Sequence, residues 1–269
     1  MITCKEYVEH KKELIKRMVS GCKRTPKLCV IQIGDDPASS SYVKGKRRDC
    51  EEVGIEFAHI HIKDYSHFTE GDLLDLIRIQ NKDDEVDGII VQLPIPAKYS
   101  VKRVQEQIKR KKDVDGFRKC SDFTPCTPKG IMDWLDYNHY EFEGKEVVVA
   151  GRSEIVGKPL VNLLIDRGAT VTCINSKTKS PFSFTSHADL FISAIGKAEH
   201  WTAWDFQRGT LIVDVGINRD EDGKLCGDVE RELTEKLRGE VYATPVPNGV
   251  GLLTRLALLE NTLEANRKN

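Results

Sequence analysis

Apolar residues follow two different rhythms along this chain. Over residues 4–20, Tyr7, Val8, Leu14, Ile15, Met18 and Val19 recur among charges, which predicts a surface helix with one apolar face. Lys27-Leu28-Cys29-Val30-Ile31-Gln32-Ile33 is instead a short apolar run closed by Gly34, the pattern of a buried strand. Asp35-Asp36-Pro37 then opens a second helix, with proline tolerated in the first turn, and the helix stops near Gly54. Residues 55–62 alternate as a strand, 69–81 carry Leu73, Leu74, Leu76, Ile77 and Ile79 as a helix, and 86–94 form a strand ending in Gln92, Leu93 and Pro94. A helix over 100–109 leads to Lys112-Asp113-Val114-Asp115-Gly116-Phe117. This alternation predicts a parallel sheet with helices on both faces, and such sheets bind ligands beyond the carboxyl ends of their strands. Tyr42, Gln92 and Asp115 lie just after strands or in loops, at that edge.

A boundary is expected near residue 118, where Pro125 and Pro128 punctuate a crossing into a helix with Ile131, Trp134 and Leu135. Strands follow at 144–151, 170–174, 188–196 and 211–219, most of them stopping at glycine, with a helix over 159–167. Asp220-Glu221-Asp222-Gly223-Lys224 reads as a turn. Ala243-Thr244-Pro245-Val246-Pro247-Asn248-Gly249-Val250-Gly251 is a shaped loop ahead of a last helix with Leu256, Leu258, Leu259 and Leu263. The expected class is α/β, with two α/β domains and a cleft between them. The first comprises 1–118 plus 247–269. The second, 119–246, is a Rossmann-type dinucleotide-binding domain.

Composition narrows the function classes. The chain has 269 residues, a net charge of -1 and 39% hydrophobic residues, an ordinary globular balance without the basic excess of a nucleic-acid binder. No run of apolar residues is long enough for a membrane span. The eight cysteines are scattered, with no C-x-x-C pair and no secretory pattern at Met1-Ile2-Thr3-Cys4, so they read as reduced thiols of a cytoplasmic protein. The histidines do not cluster with them at metal-ligand spacing; His59 and His61 share one strand face, a partly exposed face rather than a metal site.

Two stretches carry candidate chemistry. Tyr42 and Lys46 stand one turn apart on one helix face, so phenol and ammonium can share a pocket wall and the lysine is a candidate for proton transfer. Taken alone, the stretch reads more readily as a solvated basic face, because Lys44, Arg47 and Arg48 surround the pair. The second stretch is Gly151-Arg152-Ser153-Glu154-Ile155-Val156-Gly157-Lys158-Pro159, set between an apolar strand and a helix. Glycine there lets backbone approach a phosphate, and the helix N-terminus supplies N–H donors. The next strand ends in Asn175-Ser176-Lys177-Thr178, without the acidic residue that binds the ribose 2′-hydroxyl of NAD. A hydroxyl and a lysine, with Arg152, suit a 2′-phosphate, which favours NADP. Asp214, inside an apolar run, is read as a buried acid bonded to neighbouring loops in preference to a catalytic one.

The ordered set of motifs resembles the bifunctional methylenetetrahydrofolate dehydrogenase/cyclohydrolase (FolD) family. It comprises Tyr42-Val43-x-x-Lys46, Gly88 to Pro94, Lys112 to Phe117, Pro125-Cys126-Thr127-Pro128-x-Gly130, Gly151 to Pro159, Asp214 to Arg219 and Pro245-Val246-Pro247. The resemblance implies oxidation of 5,10-methylenetetrahydrofolate with NADP, then hydrolysis of the methenyl product to 10-formyltetrahydrofolate. It implies Lys46 as the central catalytic lysine, Tyr42 as the platform for the aminobenzoyl group, Gln92 as the group positioning Lys46, and Asp115 as the holder of the pterin. Pro247 and Gly251 join these in the folate set. Arg152 and Ser176 match the 2′-phosphate contacts, and Thr127, Gly151, Ser153, Ile217, Gly251 and Thr254 match positions lining the cofactor. A homodimer, tetrahydrofolate derivatives as ligands, and neither nucleic acid nor membrane as partner are also implied.

Four departures from the family pattern stand out. The terminal loop has Asn248 where glycine is usual and Leu252-Leu253 for Pro-Met, Asn175 stands where histidine is common, the Asp-Gly-Lys segment usual near the N-terminus is missing, and the loop before Asp113 lacks its usual proline. Four rival readings remain. Tyr-x-x-x-Lys also marks short-chain dehydrogenases, but there it follows the dinucleotide fold, whereas Tyr42 precedes Gly151. A shikimate-type dehydrogenase is opposed by Gln92-Leu93-Pro94 and Asp113-Val114-Asp115-Gly116. A non-enzymatic folate-binding regulator and a monofunctional dehydrogenase complete the set.

Overall fold

The computed structural model describes residues 1–230 and 242–268. It divides into two compact units: Glu9–Cys126 with Arg255–Asn269, and Met1–Val8 with Thr127–Thr254.

The first unit is built on β1 (Lys27–Ile33), β2 (Glu56–Ile62) and β3 (Gly88–Val91), all parallel in the order β2-β1-β3. Helix α1 (Cys4–Ser20) leads into it, α2 (Pro37–Val53) and α3 (Glu70–Lys82) make the crossovers, and α4 (Val101–Gln107) follows β3. Ile31 and Ile33 of β1, Ile89 and Val91 of β3, and Leu73 and Ile77 of α3 interlock in one core. Helix α2 begins as the sequence predicts: the Asp36 side chain accepts the Ser39 N–H at 2.7 Å, with Pro37 in the first turn. It ends at Gly54, whose left-handed φ of 84° lets its N–H reach the carbonyls of Cys50 and Glu51. Strand β3 is shorter than the expected 86–94. Its approach is occupied by buried Asp87, whose N–H donates to Lys27 O at 2.9 Å while its carboxylate accepts the Lys27 N–H at 2.8 Å and the Arg24 guanidinium at 2.6 Å, so the side chain takes the place of a second backbone bond to β1.

The second unit contains α5 (Cys126–Tyr137), β4 (Glu146–Ala150), α6 (Gly157–Asp166), β5 (Thr170–Ile174), α7 (Phe182–Thr185), β6 (Leu190–Ser193) and β7 (Leu211–Asp214). The hairpin β8 (Asn218–Arg219) and β9 (Leu225–Cys226), then β10 (Tyr242–Ala243) and α8 (Val250–Lys268), complete the chain. The sheet is parallel with order β10-β7-β6-β4-β5, the doubly wound arrangement whose winding reverses between β4 and β6. The turn expected at 220–224 is the tip of the β8–β9 hairpin, where Asp220 N donates to Lys224 O at 2.9 Å. Residues 1–8 pack in this unit: Ile2 O accepts the Trp134 indole N–H at 3.2 Å, and Ile2 N donates to Asn138 Oδ1 at 2.6 Å.

Two buried carboxylates knit the loops beyond β6 and β7. Asp214 accepts the N–H groups of Gly216, Asp228 and Val229 at 2.9–3.0 Å. Asp228 accepts Ser193 Oγ at 2.8 Å and the N–H groups of Ile195, Gly196 and Lys197 at 2.8–3.3 Å. Asp214 is thus a structural acid, and burial raises its carboxyl to about 6. His59 and His61 also have a structural setting: their rings stack at 5.3 Å, with Nε2 of His59 on Gln32 Oε1 at 3.1 Å and Nε2 of His61 on Gly34 O at 2.9 Å.

Candidate active site

In the first unit the candidate chemistry gathers beyond the carboxyl ends of β1 and β3. Gln92 continues the ladder past β3, its N–H donating to Ile31 O at 2.8 Å. That backbone bond fixes the side chain at two points: Nε2 donates to Leu93 O at 2.7 Å, and Oε1 accepts the Lys46 ammonium at 3.1 Å. Leu93 O also receives Ser39 Oγ from α2 at 3.3 Å, so helix and strand end are tied together beside Lys46. The ammonium has only donors, so it must meet the amide oxygen, and the Nε2 bond to Leu93 O holds the amide that way round.

Tyr42 lies on the same face of α2 and is 37% exposed, open enough for a flat ligand to cover its ring. Burial of the rest of the side chain pushes the phenol up, and the nearby Arg255 guanidinium opposes that shift. Asp115 is half-buried in a loop that its own chain holds shut, with Asp115 O accepting the Cys126 N–H at 3.3 Å and Val114 O accepting Asn261 Nδ2 at 2.9 Å. Among the described residues no hydrogen bond joins the Asp115 carboxylate to Tyr42, Lys46 or Gln92.

The sequence reading missed the group that completes this helix face. Tyr42, Gly45, Lys46 and Asp49 recur at i, i+3, i+4 and i+7. Buried Asp49 takes Lys12 Nζ on Oδ1 at 2.7 Å and Arg255 Nε near Oδ2 at 2.9 Å, the latter a charge contact without hydrogen-bond alignment. The Arg255 guanidinium lies against Gly45, where any Cβ would collide with Nη1 and sit 3.5 Å from Cζ. The apolar-polar pattern of α2 contained the signal, a glycine inside a helix with an acid one turn later, but not the partner from α8.

In the second unit Gly151 ends β4 at φ 117°, with its N–H on Ile174 O at 2.9 Å. A Cβ there would lie 2.5 Å from Ala194 O, at the β4–β6 reversal of winding. The loop then folds on itself: a Cβ at Gly157 would lie 2.7 Å from Gly151 C, and Ser153 Oγ accepts the Val156 N–H at 3.2 Å. Arg152, Ser153 and Ser176 are exposed at the ends of the paired strands β4 and β5. Asn175 shapes the β5 end, its Oδ1 accepting the Lys177 N–H at 3.0 Å and its N–H donating to Thr178 Oγ1 at 2.9 Å. Glu154, the acid in the glycine loop, is paired with Lys158, so the exposed cations are unopposed there. Of the other candidates, Thr127 and Thr254 share a hydroxyl hydrogen bond at 3.0 Å, and a Cβ at Gly251 would touch Ile217 Cδ1 at 4.0 Å. Pro247 is exposed, and Asn248 beside it has φ 76°, so the asparagine adopts the left-handed turn expected of glycine.

Comparison with known proteins decides the family. Residues 2–115 match the catalytic domain of tetrahydrofolate dehydrogenase/cyclohydrolase, and residues 125–269 match its NAD(P)-binding domain. The chain belongs to this family. It is 42% identical to the bifunctional protein FolD of Bacillus subtilis over 280 residues, covering 100% of this chain and 98% of the relative. Its structure is similar to that of the bifunctional FolD of Campylobacter jejuni, with a TM-score of 0.93 and 39% identity over 98% of this chain and 97% of the other. A FolD of Trypanosoma brucei, solved with NADP and an inhibitor, has a TM-score of 0.90 at 27% identity, over 100% of this chain and 97% of that one. Family membership fits the glycine loop at β4 to a dinucleotide.

Proposed function

We propose that this protein oxidises 5,10-methylenetetrahydrofolate to the 5,10-methenyl form with NADP and hydrolyses that product to 10-formyltetrahydrofolate. The observation that carries this reading is the Lys46 ammonium held at 3.1 Å by a Gln92 that is itself fixed to β1 and to Leu93. When bound, NADP supplies the hydride acceptor. Arg152 and Ser176 hold its 2′-phosphate, and Gly151, Ser153, Thr127, Ile217, Gly251 and Thr254 line its site, a role supported by the missing acid after β5 and the close backbone approach at Gly151.

For hydrolysis, with Lys46 in its neutral amine form, water adds to the methenyl carbon as one water proton passes to that amine; the carbinol O–H proton then leaves to solvent as the formyl C=O forms, the bond from that carbon to N5 breaks, and N5 takes the proton back from Lys46. The formyl group stays on N10. Gln92 keeps Lys46 at one position for both proton movements, Tyr42 stacks on the aminobenzoyl ring, and Asp115, Pro247 and Gly251 hold the folate. This division of labour assigns 1–118 with 247–269 chiefly to folate and 119–246 chiefly to the cofactor, with Gly251 and Thr254 as the cofactor contacts from the 247–269 segment. A cytoplasmic homodimer completes the reading, and sedimentation velocity tests the assembly.

The deciding experiment is an anaerobic assay of methylenetetrahydrofolate oxidation with NADP and NAD in parallel, followed by methenyl hydrolysis. Reduction of NADP in preference to NAD, with decay of the methenyl absorbance, is expected. No reduction of either coenzyme overturns the proposal, and oxidation without hydrolysis leaves a monofunctional dehydrogenase.

A further inference from the structure

The first unit carries a concave site at the opposite edge of its sheet from Gln92. A cavity of about 810 Å³ opens where Arg24 and Glu85 lead into β1 and β3, lined also by Lys23, Lys111, Lys112 and Arg267. The four residues of β3 place it about 13 Å or more from the Lys46 end of that strand. The proposed reaction uses none of these residues. Nor does it use the basic run Lys109-Arg110-Lys111-Lys112 that contributes two of them.

The charges here are unevenly matched. Arg24 is satisfied by buried Asp87 at 2.6 Å, and Arg110 by Asp122 at 2.7 Å. Asp84 and Glu85 offset part of the rest. Lys23, Lys111 and Arg267 are exposed and have no carboxylate partner among the described residues. Lys112 is 2% exposed, and its ammonium donates to the Gln80 and Asp83 carbonyls at 3.1 and 2.5 Å, which leaves one of its three N–H groups over. Burial, with like charge from Lys109 and Lys111, pushes that ammonium down from the ordinary lysine range. The chain therefore concentrates repelling cations, one of them desolvated, around a cavity large enough for a small molecule. An anion there would relieve the repulsion and engage the free N–H groups with charge-assisted hydrogen bonds.

We propose that this cavity binds a small oligoanion bearing two adjacent phosphoryl or carboxylate groups, bridged by Lys23, Lys111, Lys112 and Arg267. Pyrophosphate is the simplest such ligand, and the inclusion of Asp84 and Glu85 in the lining disfavours an extended nucleic-acid backbone.

Isothermal titration calorimetry with pyrophosphate tests the site, with NADP present in excess so that the glycine loop is occupied. Saturable binding is expected, weakened about tenfold or more in Lys23→Glu/Lys111→Glu and unchanged in Lys16→Glu/Lys102→Glu, which makes the same charge change outside the cavity. Both substituted pairs are exposed, so the fold survives, and turnover without pyrophosphate should equal that of the parent. Parallel titrations with citrate separate the sources: tighter pyrophosphate assigns the site to phosphorylated metabolites, and tighter citrate assigns it to polycarboxylates. Absence of saturable binding of either anion, or equal binding by the two double variants, overturns the proposal.

Discussion

Replacing Gly45 by alanine sets two physical effects against each other. Glycine inside a helix is less favourable than alanine by about 1 kcal/mol, so the propensity term of Gly45→Ala is stabilising. The new Cβ, however, occupies the place of Arg255 Nη1 and lies 3.5 Å from Cζ and 3.7 Å from Cδ. The guanidinium must move, and it is not a free side-chain end, because Asp49 holds it from a position 3% exposed. Pulling the guanidinium away leaves a buried carboxylate short of one charge partner, a cost of about 1.5–3 kcal/mol because Asp49 keeps Lys12 at 2.7 Å. The net expectation is destabilisation by about 0.5–2 kcal/mol, a fall in Tm of about 1–8 °C. The assay is a double-mutant cycle with Arg255→Met, read by thermal unfolding. On the Arg255→Met background the clash is gone, so Gly45→Ala should stabilise by about 1 kcal/mol, a coupling of at least about 1.5 kcal/mol. Tyr42 and Lys46 flank Gly45 on the same helix face, so the single variant should also raise KM for the folate. Equal stabilisation of the parent and of Arg255→Met by Gly45→Ala would refute the argument.

Four further outcomes are expected. Lys46→Met should lower methenyl hydrolysis by about 10²-fold or more while folate binding, measured by calorimetry, persists; unchanged hydrolysis removes Lys46 from the proton steps. Arg152→Ala should raise KM for NADP by about tenfold or more and leave KM for NAD nearly unchanged, because the lost bonds are those to a 2′-phosphate; equal effects on both coenzymes would contradict that role. At Asn248, with φ 76°, substitution by glycine should be neutral or slightly stabilising and substitution by valine should cost about 1–2 kcal/mol in chemical denaturation. Asp214, raised by burial from 3.8 to about 6, should give a stability contribution that is full below about pH 4 and lost as pH rises through about 6, amounting to about 3 kcal/mol. The difference in unfolding free energy between the parent and Asp214→Asn should shrink over that interval, and a flat difference would show that the carboxyl does not titrate there.

The sequence was sufficient for whatever depends on short-range pattern. Period and punctuation located α1, β1, α2 and β5 to within a residue, since buried runs, helical spacing, proline at a helix start and glycine at a helix end act locally. The same reading placed Gln92, Arg152 and Ser176 at carboxyl strand ends, because parallel α/β sheets put their loops there. Short elements were less legible. Strand β3 starts only after Asp87, whose carboxylate takes the Lys27 N–H and the Arg24 guanidinium, and β9 is a two-residue strand with too little pattern to detect. The tertiary structure alone decided the relations between residues distant in the chain. It joined Arg255 and Lys12 to Asp49, tied Asp228 to the loop after β6, and brought Lys23, Lys111 and Arg267 to one cavity. A sequence fixes which charges exist. Only packing fixes which of them meet, because a pair contact depends on where two separate elements cross and on whether a residue such as Gly45 leaves room between them.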